Sequence, residues 1–150
     1  MVYQRKPGLL LVGPRLHDPT PENAATFLRW TNLHLRDLLN IPEDPQLGRL
    51  TRSFRFTAPE NDSKYSHDES KGYTPYFYTS IVDDIGVLQG QAYYDVSRSL
   101  DLEKTRELAE GEEAVGYGKE GAMVWNVVSA KFAVFTEVES GKLLVFRIDL

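Results

Sequence analysis

The chain contains no cysteine. Disulfides, thiolate metal sites and cysteine nucleophiles are thereby excluded, and a reducing compartment suits it. Histidine is scarce, with three residues in 150. His17, His34 and His67 fall on different elements at no ligand spacing, so a metal site is not expected. Long hydrophobic runs are missing. Leu9 to Val12 is too short for a signal-peptide core or a membrane span, and Pro14 follows closely. A cytoplasmic protein with no membrane partner is expected. Basic runs are absent too: the longest is Arg5-Lys6, and the net charge is -5. Nucleic acid and anionic membrane require a concentrated basic surface, so neither is expected as a partner. There is no Walker loop, no G-x-S-x-G elbow and no H-E-x-x-H. Gly116-x-Gly118-x-x-Gly121 matches the dinucleotide fingerprint in spacing alone. No strand leads into it and no helix opens after it. No cofactor is expected.

What remains is ordinary soluble-domain material, 41% hydrophobic and 26% charged. The length suits one domain over 1–150, with no internal repeat. Gly8 to Leu16 predicts a first strand, apolar on both faces. Thr20 to Ile41 predicts an amphipathic helix. Thr20 is its N-cap and Pro21 its first residue; Ala24, Phe27, Leu28, Thr31, Leu35, Leu38 and Leu39 form its apolar stripe. Pro42 and Pro45 stop it.

Ser53 to Thr57 alternates, with Phe54 and Phe56 on one face and Arg55 on the other. The polar stretch 58–72 predicts a mobile loop. Tyr73 to Asp83 predicts an aromatic, β-branched third strand. Val87 to about Leu100 has helical spacing, and 102–108 offers another turn or two. Glu110 to Gly121 predicts a loop and Ala122 to Val128 an extended stretch. Lys131 to Glu139 and Lys142 to Asp149 predict a hairpin across Ser140-Gly141.

The order is β-α-β-β-α-β with a C-terminal hairpin extension. That is a ferredoxin-like α+β fold with an antiparallel sheet. Its helices cover one face only. The strands are apolar on both faces, so a second copy of the chain is the economical cover, giving a face-to-face homodimer.

Phe27-x-x-Trp30-x-x-x-His34-x-x-Asp37-x-Leu39 follows an apolar strand and precedes a proline-marked turn. It resembles the dimeric α+β barrel superfamily, most closely the EthD-like branch. The likeness in element order spans nearly the whole chain; the residue match lies in the first helix. Thr31 stands where an aromatic or serine is common, and Leu35-Arg36 replaces a frequent Ile-Pro. The resemblance implies a homodimer with a cavity between helix and sheet in each protomer. Members include polyketide cyclases, decarboxylases, isomerases, cofactor-free monooxygenases and some haem proteins.

His34 is the first candidate, at the margin of the apolar stripe, where an imidazole can give or take a proton near neutral pH. Asp37, one turn on, can orient it. The competing reading is a packed histidine beside a solvated aspartate. Tyr78 shares a strand face with Tyr76 and Ser80 and can donate to a developing oxyanion, or simply pack. Trp30 and Phe27 are candidates for a ligand wall, with core packing as the alternative. Arg55 can bind a carboxylate or form a surface ion pair. Asp83 and Asp84 can serve as a base or cap the next helix. Tyr93 and Tyr94, on the expected second helix, are similar but weaker candidates. A haem would have His34 alone as axial ligand.

The expected function is a cofactor-free lyase, cyclase or isomerase using acid/base chemistry on a small aromatic or polyketide-like ligand. The alternatives are a dimer that shields a reactive ligand without changing it, and a cofactor-free monooxygenase.

Overall fold

A computed structural model describes residues 3–58, 76–100, 110 and 121–137, together with the backbone of 145–146. Strand β1 runs Gly8–Leu16, as its apolar pattern predicts. Helix α1 runs Pro21–Leu39. The Asn23 amide donates to the Thr20 hydroxyl at 3.2 Å, so the cap predicted at Thr20 is formed. The amide of Asn40 closes the last turn on the Arg36 carbonyl before Pro42 prevents continuation.

Strands β2 (Leu50–Thr57), β3 (Tyr76–Val82), β4 (Val128–Thr136) and β5 (Val145–Phe146) join β1 in one sheet. Its order is β2-β3-β1-β4-β5, and every pairing is antiparallel. β1 is central: Leu10 lies opposite Ser80 on one side and Val134 on the other. The fold is α+β, compatible with the ferredoxin-like arrangement. β4 begins at Val128 rather than Lys131, and β5 pairs with it as the hairpin requires. The hairpin turn, the 58–72 loop apart from Ala58, and the 102–108 turns lie outside the described residues.

The second helix is shorter than its spacing predicts. A 3₁₀ turn spans Ile85–Gln89, and α2 spans Gln91–Asp95 only. Gly90 separates them with ψ 149°, and Val96 ends α2 with ψ 125°. Beyond it the chain turns to pairing. The Leu100 amide donates to the Ala122 carbonyl at 2.9 Å, and the Val124 amide to the Arg98 carbonyl at 2.9 Å. Leu100 is buried through this route rather than on a helical stripe. The stretch Ala122 to Val128 is likewise not extended throughout; a 3₁₀ turn occupies Val124–Asn126.

Asp84 locks this region to the start of the chain. It caps the first 3₁₀ turn through Gly86 N–H (2.7 Å). Its other oxygen accepts from Lys6 N–H (2.6 Å) and the Tyr3 hydroxyl (2.9 Å). Burial opposes its charge, but these donors outweigh burial and hold the carboxyl below its ordinary range.

The two sheet faces differ in cover. Leu10, Val12, Tyr78 and Val82 form one buried cluster with Phe27, Trp30, Leu35 and Leu38 of α1. Each such side chain fully buried contributes about 1.5–3 kcal/mol. Strand parity therefore places Ser53 and Arg55 on the α1 face and Phe54 and Phe56 on the opposite one. Phe54, Phe56 and Phe77 are exposed there. Phe56 and Phe77 stack at 4.9 Å between centroids.

Candidate functional site

Between α1 and the buried sheet face lies a cavity of about 550 Å³. Its floor is Leu10, Val12, Tyr78, Ser80, Phe132 and Val134 from β1, β3 and β4. α1 contributes Trp30, His34 and Leu38. The irregular segment after β3 contributes Ile85, Leu88, Gln89, Tyr93, Tyr94 and Arg98, and Trp125 comes from the second 3₁₀ turn. Tyr94 and Trp125 are about half exposed, as at a mouth, whereas His34 and Tyr78 are buried. The walls are mostly apolar with a few polar groups, the usual make-up of a small-molecule site.

His34 stacks on Trp30, with ring centroids 4.5 Å apart and planes 14° from parallel. Their i, i+4 spacing on α1 puts both rings on one face, where they meet. The imidazole is 8% exposed, and among the described residues its Nδ1 has no hydrogen-bond partner. Burial lowers its pKa to about 4, and the charge of Arg98 pushes the same way. The Ser97 backbone and the Asp37 carboxylate pull it back up, but only in part. The ring is therefore neutral at pH 7.

Asp37 does not hold Nδ1. Its carboxylate meets the Arg36 guanidinium at 3.4 Å, and it acts on His34 through charge alone. Spacing of i, i+3 brought the two to the same side of the helix without joining them. Burial pushes the Tyr78 phenol well above its ordinary value. It stays protonated at neutral pH and so remains a donor.

Of the predicted residues, the cavity brings together His34, Tyr78, Trp30, Tyr93 and Tyr94. Phe27 is instead fully buried, packed on Trp30 at 6.1 Å and on Tyr76 at 5.7 Å. It serves the core, and Tyr76 packs beside it rather than lining the cavity. Arg55 is on the α1 side of the sheet but is spent on the helix. It donates to the Leu28 carbonyl at 3.1 Å and to Asn32 Oδ1 at 2.9 Å. Asp83 accepts from Arg49 N–H at 3.1 Å and approaches Arg5 at 3.9 Å. It closes the turn at Gly48, whose φ of +82° suits glycine, and lies away from the cavity.

Arg98, Gln89 and Trp125 were not legible as site residues. Arg98 and Gln89 sit in a stretch read as one continuous helix. Trp125 offered a signal, a large aromatic within the short stretch Ala122 to Val128 expected to be extended. Among the described residues no three His, Asp or Glu side chains group as a metal site. Among them, too, no helix is long and apolar enough to cross a membrane. No family model, curated protein or solved structure matches the chain.

Proposed function

We propose that the chain is a cofactor-free lyase, cyclase or isomerase acting by proton transfer on a small aromatic or polyketide-like molecule. The observation that carries this reading is a neutral imidazole buried in the wall of an apolar cavity of about 550 Å³. The resemblance of the first helix to the EthD-like branch supports it. In this reading His34 takes a proton from carbon or oxygen of the ligand. The imidazolium so formed is disfavoured beside Arg98 unless negative charge develops on the ligand at the same moment. Tyr78, a neutral donor, and Arg98 then stabilise that developing oxyanion. Exclusion of water strengthens each of these polar contacts.

Proton transfer is measurable without the natural substrate. Wild-type protein is expected to accelerate deuterium uptake at the activated carbon of 2-tetralone in D₂O, followed by NMR. His34→Ala is expected to lose about a hundredfold of that acceleration while remaining folded. Full acceleration in the variant removes His34 from the mechanism. The shielding reading has one observation in its favour: among the described residues no carboxylate bonds His34 to raise its basicity. It predicts stoichiometric binding with no exchange, whereas a monooxygenase would consume oxygen.

The same reading makes the protein a homodimer, with the open sheet faces of two copies packed together in the dimeric α+β barrel manner. Exposure of Phe54, Phe56 and Phe77 on one face supports it, since a row of exposed aromatics is costly in water. Sedimentation is expected to give twice 17.1 kDa. Phe54→Asp with Phe56→Asp is expected to weaken association at least about a hundredfold and yield monomer. A monomeric wild type excludes the dimer.

A further inference from the structure

Arg98 is the one cation among the described residues that line the cavity, and no carboxylate is among them. Its guanidinium is held in place. Nη1 donates to the Tyr94 carbonyl at 2.7 Å and to the Val96 carbonyl, and the group lies 5.2 Å from the Tyr93 ring centroid. One carbonyl belongs to the last turn of α2 and the other to its C-cap, so the end of that short helix fixes the fork. A guanidinium carries five N–H donors in one plane. Among the described residues no Asp or Glu forms an ion pair with it. A partly buried cation that no described carboxylate pairs is unfavourable there, and an anion supplied from outside relieves it. With both Nη1 hydrogens taken by the two carbonyls, the Nε and Nη2 hydrogens remain, and that edge matches a carboxylate in two parallel hydrogen bonds. One cation in otherwise neutral, largely apolar walls suits a single negative charge better than a phosphate dianion.

We propose that the cavity selects an aromatic carboxylic acid, its carboxylate seated on Arg98 and its ring held among Trp30, Tyr93 and Trp125. This makes Arg98 the specificity-determining residue, in the role that sequence reasoning offered to Arg55. The proposal rests on the reading of the cavity as an aromatic-ligand site but not on any proton transfer by His34. A carboxylate beside Arg98 also offsets the charge that disfavours imidazolium at His34.

The test compares two probes of one shape, 2-naphthoate and its neutral amide, 2-naphthamide, by isothermal titration calorimetry at pH 7. Wild-type protein is expected to bind the naphthoate about 10- to 100-fold more tightly. Arg98→Met is expected to erase that preference, with naphthamide affinity falling far less than naphthoate affinity, which also shows that the cavity is intact. Arg98→Lys keeps the charge without the fork and is expected to retain a smaller preference; it stands in if the methionine variant does not fold. Equal affinity for the two probes in the wild type overturns the proposal and spares the aromatic-ligand reading. So does a preference that survives in Arg98→Met. Failure of the wild type to bind either probe overturns both.

Discussion

Phe27→Ala is expected to lower the unfolding free energy by roughly 3–5 kcal/mol, measured by urea denaturation at pH 7. Phe27 is 1% exposed and sits at the meeting point of α1 and β3. Its ring contacts Trp30 on its own helix and Tyr76 on the strand. Truncation removes the transfer free energy of the ring and leaves a void, because α1 is held on both flanks. Thr20 caps its start, and Arg55 bonds the Leu28 carbonyl and the Asn32 side chain from β2. A helix pinned in this way cannot slide inward to refill the space. The loss is expected to leave 2-naphthamide affinity in the folded fraction largely unchanged, because Phe27 does not line the cavity. A loss below about 1 kcal/mol accompanied by weakened binding would return Phe27 to the ligand wall.

The division between legible and hidden parts follows from how each element is specified. β1 and α1 were readable to their ends because local chemistry sets them: an apolar run, a threonine cap, a proline at each boundary. β3 was readable from its aromatic and β-branched residues. Alternation in Ser53 to Thr57 told which residues share a face but not which face meets the helix. That parity is set by pairing with β3, where Arg55 lies opposite Tyr78. The expected second helix failed because its apolar spacing is met by a 3₁₀ turn, a short helix and an extended pair in succession. Extended backbone at Gly90 makes the first break, and pairing with Ala122 and Val124 enforces the last. Arg98 was hidden for the same reason. Its place in the cavity depends on where that irregular chain returns to the sheet, a non-local contact with no periodic signature. His34 was legible because helical periodicity put it on the edge of the stripe. Its missing partner was not, since i, i+3 spacing permits a contact with Asp37 without requiring one.

His34 should impose an acid limb on stability. In the unfolded chain its pKa is the ordinary 6.5, and in the folded protein about 4. Between those values the unfolded state binds a proton that the folded state refuses, so stability rises with pH across the window. The contribution is fully present above pH 6.5 and is lost progressively as pH falls toward 4. The total is about 3 kcal/mol, of which about 2 is lost by pH 5. Burial is the main cause, with the Arg98 charge second; Ser97 and Asp37 oppose both. His34→Leu, which cannot protonate, is expected to flatten this limb, so that its stability relative to wild type improves by about 3 kcal/mol between pH 7 and pH 4. Urea denaturation of both proteins at unit pH steps measures it. An unchanged limb in the variant would assign the acid sensitivity to other groups and put a charged His34 in the folded state. Arg98→Met separates the two causes: NMR titration is expected to show the His34 pKa rising above 4 but staying below 6.5, because burial remains. That residual depression keeps the imidazole neutral at pH 7 with or without the arginine. Arg98 therefore adds to the depression but is not needed to keep the base unprotonated, and its charge is left to act on an anionic ligand.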